Sequence, residues 1–105
     1  MRKNPSMAGT VILHLAEGHK SAEGHFPGNP IIPGAVLLRD IVAAIAGDTL
    51  RLREVRAAKF HHPVRPGDTL TVSWTEASGG DIRFSCVADG ATNPAITGSF
   101  RLASE

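Results

Sequence analysis

The run that decides the fold is Ala35-Val36-Leu37-Leu38-Arg39-Asp40-Ile41-Val42-Ala43-Ala44-Ile45-Ala46, in which ten of twelve residues are apolar. Pro33 precedes the run and suits a first helical turn, because proline lacks the N–H group that would be unpaired there. Gly47 follows it as a stop signal. The sequence therefore predicts one helix of about 18 Å. Because the apolar residues surround this helix instead of forming a stripe, we expect it to be buried on nearly every side.

The remaining sequence predicts the strands that would bury the helix. Apolar and polar residues alternate in several stretches, which is the pattern of strands with one buried face. These stretches are 10–16, 69–75, 82–86 and 96–102, and the range 50–60 contains a further extended candidate. The predicted fold class is therefore α+β, a curved antiparallel sheet of about five strands wrapped around one central apolar helix. His14 is expected on the face of its strand opposite to Val11, Leu13 and Leu15.

Composition limits the class of protein. The length of 105 residues predicts a single domain, 1–105, with a flexible tail over 1–8. Hydrophobic residues at 42% and charged residues at 20% argue against disorder, and a formal charge of +1 gives no reason to expect nucleic acid or a membrane surface as partner. Cys86 is the single cysteine, which excludes an internal disulfide and suits a reducing compartment. Since no signal peptide or membrane span is evident, we expect a cytoplasmic protein.

The chemistry is expected in the segment before the helix, Gly24-His25-Phe26-Pro27-Gly28-Asn29-Pro30-Ile31-Ile32-Pro33-Gly34. Three prolines at three-residue spacing predict a stiff, extended loop. This loop would present His25 to a helix N-terminus, where free N–H groups and positive potential are available. A histidine held there could move a proton while the N–H groups stabilise negative charge on a carbonyl oxygen.

The same segment closely resembles the active-site segment of the hot-dog-fold 3-hydroxyacyl-[acyl-carrier-protein] dehydratases of fatty acid synthesis. A second stretch, Ala58-Lys59-Phe60 through Pro63-Val64-Arg65-Pro66-Gly67-Asp68, is similar to that family's Phe…Pro-Val…Pro-Gly-Asp strand and turn. The two motifs stand in the family's order, although the spacing between them is shorter. The resemblance extends roughly over residues 10 to 102.

The resemblance implies a function and the residues that perform it. The substrate would be an acyl chain on the phosphopantetheine thioester of acyl carrier protein or coenzyme A, with no resident cofactor and no metal, and water would be removed across C2 and C3. His25 would be the base and the Gly34 N–H the oxyanion donor, with Phe26 and Pro33 binding substrate. The family also implies a homodimer, or a higher oligomer of dimers, with two active sites at the dimer interface.

The sequence departs from the family pattern at the catalytic acid. The family's carboxylate lies fourteen positions after the histidine, on the partner subunit's helix, and Arg39 stands at that position here. Asp40 is the nearest acid, but one helical step rotates a side chain by about 100° and moves its Cβ by roughly 5 Å. Arginine stays protonated and cannot replace the acid, although it could bind an anionic substrate. Either a local change in the helix brings Asp40 into the site, or the acid is lost.

Two alternatives to a dehydratase therefore stay open. One is a non-catalytic subunit that binds acyl thioesters or partners a catalytic paralogue, which Arg39 at the acid position favours. The other is an acyl-CoA thioesterase, an activity that the same fold supports elsewhere. The pair His61-His62 matches no usual spacing of metal ligands and is predicted to lie at the surface.

Overall fold

The structure, a computed structural model, describes residues 8–16, 32–47, 51–77 and 80–103. In these residues one helix and five strands follow each other along the chain. They are β1 (Ala8–His14), α1 (Gly34–Ala46), β2 (Leu52–Phe60), β3 (Thr69–Glu76), β4 (Asp81–Ala88) and β5 (Ile96–Leu102). The α+β class and the number of strands are confirmed, with β1 beginning and ending two residues earlier than predicted. No helix in the described ranges is long and apolar enough to cross a membrane.

The strands form a single antiparallel sheet in the order β1-β3-β4-β5-β2. Consecutive strands β3, β4 and β5 are neighbours, as short connections favour. By contrast, β2 pairs with β5 and therefore lies at the edge opposite to β1. The sequence predicted the strands but not this order, since alternation reports which face of a strand is buried and not which strand is its neighbour.

The apolar face of the sheet forms the core together with the helix. Alternate residues of the central strands are fully buried, among them Leu70, Val72, Cys86, Ile96 and Phe100. The predicted core position of Cys86 is confirmed, and desolvation by this burial raises the pKa of its thiol to about 12. Trp74 is partly buried and packs against the same cluster.

Helix α1 begins and ends almost where its sequence signals predict. Pro33 is the N-cap residue, with φ −57° and ψ 143°, so the first helical residue is Gly34 and Pro33 lies one position outside the helix. Gly47 ends the helix in the left-handed conformation at φ 90°, and its N–H donates to the Ala43 carbonyl at 2.8 Å. Such a conformation favours glycine. The predicted stop signal is therefore confirmed.

The prediction that α1 is buried on nearly every side is wrong for a single chain. Its buried residues are Leu37, Ile41, Val42 and Ile45, which form one face. The helix lies over β1 and β3, so one flank of the sheet covers it and residues such as Ala35 stay exposed. The physical reason is that five strands of seven to nine residues curve around one side of a helix and do not enclose it.

Candidate active site

The segment 63–68, which carries the Pro-Val and Pro-Gly-Asp motif, forms backbone hydrogen bonds both to the start of α1 and to the end of β1. The Ile32 N–H, just before α1, donates to the Val64 carbonyl at 2.9 Å. At the other side, the Gly67 N–H donates to the Leu15 carbonyl at 2.7 Å and the Leu15 N–H donates to the Asp68 carbonyl at 2.9 Å. Gly67 has φ 93°, which the tight turn requires and glycine tolerates. The turn therefore fixes where β1 ends relative to the helix start.

A surface cavity of about 480 Å³, widely open to solvent, lies between the end of β1 and the middle of α1. Residues 13–16 form one wall, and Asp40, Ala43 and Ala44 form the other. Most of these side chains are apolar leucine and alanine. Volumes of about 300 to 1,000 Å³ with apolar walls and a few polar groups are typical of small-molecule sites.

The two charged residues of α1 lie in different surroundings. Asp40 is half-buried and lines the cavity, whereas Arg39 is exposed. α1 is a continuous α-helix from Gly34 to Ala46, so no local bulge is present to turn Asp40. The rotation of the whole helix against β1 sets the direction of both side chains. Of the two charged residues, Asp40 is therefore the one on the cavity side of the helix.

The start of α1 provides backbone donors beside an aromatic ring. The N–H of Leu37 makes the first helical bond, to the Pro33 carbonyl at 3.0 Å, and no side chain caps the helix within the described residues. The N–H of Gly34 precedes that bond and points out of the helix start. A Cβ on Gly34 would lie 2.8 Å from Cζ of Phe60, so the ring packs directly on this glycine. Phe60 nevertheless remains 50% exposed.

The predicted site residues are only partly brought together by the described structure. Pro33 and Gly34 form the start of α1, and Asp40 lies six residues along the same helix, about 9 Å away by helical rise. Arg39 is exposed and is not among the residues that line the cavity. His25 and Phe26 lie outside the described residues. The catalytic and substrate-binding roles assigned to all six residues stay predictions.

Sequence reasoning missed two residues of this region. His14 is exposed, as its predicted face requires, yet it also lines the cavity because β1 ends there. Phe60 belongs to the second family motif, which was the available signal for it. His61 and His62 are exposed, as predicted, and the His61 Nε2 lies 3.1 Å from the Thr97 Oγ1.

Comparison with solved structures defines the class of the fold. The chain resembles the structure of the dehydratase heterocomplex ApeI:P from Xenorhabdus doucetiae, with a TM-score of 0.73, 21% identity and coverage of 99% of this chain and 95% of that one. It also resembles the (R)-hydratase from A. caviae involved in PHA biosynthesis, with a TM-score of 0.66, 14% identity and 98% coverage of both chains. One helix on a five-stranded antiparallel sheet of this kind is the hot-dog fold.

The family follows from the sequence comparison. The model of the ApeI-like family, described as ApeI dehydratase, matches residues 2–99. The chain therefore belongs to the ApeI-like dehydratase family.

Curated relatives carry a related name. The 3-hydroxyacyl-[acyl-carrier-protein] dehydratase FabZ of Levilactobacillus brevis is 32% identical over 79 residues, which are 66% of this chain and 53% of that protein. The FabZ of Lactiplantibacillus plantarum is 34% identical over 77 residues, or 64% of this chain and 52% of that protein. The chain thus spans about half the length of these curated relatives.

Proposed function

We propose that the protein is a 3-hydroxyacyl thioester dehydratase, or the reverse hydratase, acting on acyl chains carried by acyl carrier protein or coenzyme A. The observation that carries the proposal is the position of Asp40, which lines a largely apolar cavity while Arg39 is exposed. This position supports the alternative in which Asp40 supplies the carboxyl group that the family has where Arg39 stands here. The family and the names of the curated relatives support the same reaction class.

The proposed reaction divides two proton transfers between two residues. His25 takes a proton from C2, and the negative charge that develops on the thioester oxygen is stabilised by the Gly34 N–H. The C2–C3 double bond forms as the C3–O bond breaks, and the carboxyl group of Asp40 gives its proton to the leaving hydroxyl, which departs as water. The proton on His25 returns to Asp40 before the next turnover. Hydration follows the same path in reverse.

A homodimer completes the site in this proposal. The inward-facing residues Val55 and Phe60 of β2 are 40% and 50% exposed, because α1 lies over the other flank of the sheet. Ala35 and Arg39 leave a further face of the helix uncovered. A second copy that covers both surfaces would bury them. In this proposal His25 of one chain acts together with Asp40 of the other, as the family resemblance implies.

A second candidate function is that of a non-catalytic subunit in a heteromeric dehydratase. Arg39 at the family's acid position favours it, and the solved neighbour is itself named a heterocomplex. In that case the purified chain binds acyl thioesters without turnover, and activity appears only after a catalytic paralogue is added. Asp40 would then be dispensable in the assembled complex.

Turnover assays separate these functions. The purified protein is incubated with 3-hydroxyacyl and trans-2-enoyl thioesters on acyl carrier protein and on coenzyme A, while the double bond and free thiol are both monitored. We expect reversible dehydration without thiol release, whereas thiol release would identify a thioesterase. Absence of turnover with every thioester would contradict the proposal.

Variants then test the assigned residues. His25→Ala and Asp40→Asn should each reduce the rate at least about 100-fold, the usual contribution of a general acid or base. Glu76→Gln is the matched control. Glu76 is exposed and ends β3, whereas the cavity lies at the other end of that strand, where Thr69 pairs with His14. An unchanged rate after His25→Ala would count decisively against the proposed chemistry.

A further inference from the structure

One flank of α1 forms the helix side of the surface cavity next to β1. Ala43 and Ala44 follow Asp40 by three and four residues, the spacing that puts side chains on the same face of a helix. These three residues are half-buried, whereas Ile41 and Val42 between them are fully buried in the core. The flank therefore lies between the core and solvent, and its side chains are one carboxyl group and two methyl groups.

The strand side of the cavity is mainly hydrocarbon as well. Alternation along the chain turns Leu13 and Leu15 inward, so that Leu15 is buried in the core and Leu13 packs against it. His14 lies between them and turns to the outer face of the sheet, where its Nδ1 lies 2.8 Å from Oγ1 of Thr69. The space between the two elements is thus bordered by leucine side chains on the strand and alanine side chains on the helix.

The cavity extends from Asp40 toward the C-terminal end of α1. The two alanines that line it lie about one turn beyond Asp40, and a helical turn advances about 5.4 Å. Within α1, which is described from end to end, no residue before Asp40 lines the cavity. Val36, one turn before Asp40 on the same face, is therefore not part of the wall. A molecule whose polar group meets Asp40 finds this apolar space beside Ala43 and Ala44.

The small size of the alanine side chains is the physical reason that the space is open. On the buried face of the same helix the side chains are large, as at Leu37, Ile41 and Ile45, and they fill the gap between helix and sheet. Methyl groups at positions 43 and 44 do not reach the strand, so a cavity of about 480 Å³ remains. A leucine at either position would project into this volume.

We infer that Ala43 and Ala44 form the binding subsite for the hydrocarbon tail of the acyl chain beyond C3, and that their small size allows a long tail to be accepted. This inference rests on the proposed function, in which the 3-hydroxyl group meets the carboxyl group of Asp40. The tail then continues along α1 over the two alanines and against Leu13. Because the cavity is open to solvent, each added methylene should raise the affinity by about fourfold at most.

The same helix contains a matched control for this subsite. Ala46 is half-buried like Ala43 and Ala44, but it is not among the residues that line the cavity. Ala46→Leu therefore adds the same volume to the same helix as Ala44→Leu and leaves the cavity unchanged. A difference between the two variants reports on the cavity, since the effect of leucine on the helix itself is common to both.

Substrates of different chain length give a kinetic test. In the wild type, kcat/KM should rise from the 3-hydroxybutanoyl to the 3-hydroxydecanoyl thioester, because the longer tail buries more methylene groups. Ala44→Leu fills the subsite, so kcat/KM for the decanoyl substrate should fall at least about tenfold while that for the butanoyl substrate stays within about twofold. Ala46→Leu should keep the wild-type preference. Equal losses with both substrates, the same loss in Ala46→Leu, or a wild type without chain-length preference would overturn the inference.

Thiol labelling tests the subsite without turnover and with a smaller substitution. Ala44→Cys places a thiol in the proposed subsite, and Ala46→Cys is its control. The native Cys86 does not compete for the reagent, because it is fully buried and its pKa is raised to about 12, so that little reactive thiolate is present near neutral pH. The reagent is N-ethylmaleimide, and the rate of its reaction with the introduced thiol is measured.

The probes for this measurement are the unreactive pantetheine amides of 3-hydroxydecanoic and 3-hydroxybutanoic acid, each at saturation. The decanoyl amide should slow the labelling of Ala44→Cys severalfold, the butanoyl amide should slow it much less, and neither should affect Ala46→Cys. Equal protection by both amides, or protection by neither, would refute the tail subsite. A wild-type protein without turnover would refute the proposed function instead, and protection that depends on chain length would still support the subsite.

Discussion

Arg39 and Asp40 occupy neighbouring positions on α1, yet one is exposed and the other lines a cavity. The sequence could place the family's acid position at Arg39, and it could show that a carboxylate followed at a rotation of about 100°. It could not determine which of the two faces the cavity, because that depends on how the helix is rotated against β1. The rotation results from packing of Leu37 and Ile41 into the core, a tertiary effect.

We predict that a methyl group added at Gly34 destabilises the protein only because it meets the ring of Phe60. Gly34→Ala should lower the free energy of unfolding by about 1–3 kcal/mol, since the new Cβ would lie 2.8 Å from the Phe60 ring. In a Phe60→Ala background the same change should be neutral or stabilising, because alanine is a better helix residue than glycine. Chemical denaturation of the four proteins measures this coupling. Additive effects would contradict the packing described for the helix start.

The buried thiol of Cys86 predicts a dependence of stability on alkaline pH. Burial raises the pKa of this thiol to about 12, whereas the ordinary value of 9.0 applies in the unfolded chain. Between these two pKa values the Cys86 thiol is ionised in the unfolded chain but still protonated in the folded protein. The contribution of the protonated Cys86 thiol to the free energy of unfolding is therefore fully present below pH 9. It decreases as the pH rises toward 12, with a slope of at most about 1.4 kcal/mol per pH unit.

Cys86→Val, which preserves the apolar volume approximately, is the control for this pH dependence. Denaturation curves of both proteins between pH 8 and about 11 should show the wild-type stability falling more steeply than that of the variant. Parallel curves would indicate that the thiol is not buried as described.

At the scale of elements, an ion-pair network connects the strands that the sequence could not order. Asp81 on β4 accepts a hydrogen bond from Nε of Arg101 on β5 at 2.9 Å and forms an ion pair with Nε of Arg56 on β2 at 3.0 Å. Arg56 also pairs with Glu54 at 3.1 Å. Both arginines therefore make contacts within the sheet.

We predict a small, salt-dependent effect from breaking this network. Asp81→Asn should lower the free energy of unfolding by about 1 kcal/mol or less, because both arginines are more than one-third exposed to solvent. The difference from wild type should shrink in 1 M NaCl, which screens exposed charges at about 3 Å. Asp89→Asn, at an exposed turn, is the control and should have no such effect. A loss of stability in Asp81→Asn that does not depend on salt would indicate that Asp81 acts through packing instead.

The elements themselves were largely predictable from local sequence. Alternation of Leu70, Val72 and Trp74 with polar residues indicated β3, and Gly47 indicated the end of α1; both are confirmed. Such signals act within a few residues, so they need no tertiary information. The place of β2 at the far edge depends on long-range pairing with β5, and no local pattern encodes it.

At the scale of the whole molecule, the apolar sequence of α1 and its partial burial do not match. The sequence indicated a helix covered on nearly every side, whereas one chain buries a single face of four residues. Ala35 of the helix stays exposed, and so do Val55 and Phe60 of β2, which pair with the buried Phe100 and Ile96 and therefore face inward. This difference between the apolar sequence and the burial in one chain is the basis of the proposed homodimer.

A pair of surface substitutions tests that assembly. Val55→Asp should shift the protein from dimer to monomer in sedimentation equilibrium, because a charge would be buried at the proposed interface. Ile12→Asp is the control: Ile12 is even more exposed, at 61%, but lies on the polar face of the opposite edge strand. A monomeric wild type, or dissociation caused equally by both changes, would contradict the proposed interface.

The division of proton transfer between His25 and Asp40 is tested most directly by NMR of a 3-hydroxyacyl thioester incubated with the protein in D₂O. We expect the wild type to form the enoyl thioester, Asp40→Asn to exchange the C2 proton for deuterium without forming it, and His25→Ala to do neither. Full conversion by Asp40→Asn, or C2 exchange that persists in His25→Ala, would contradict the account.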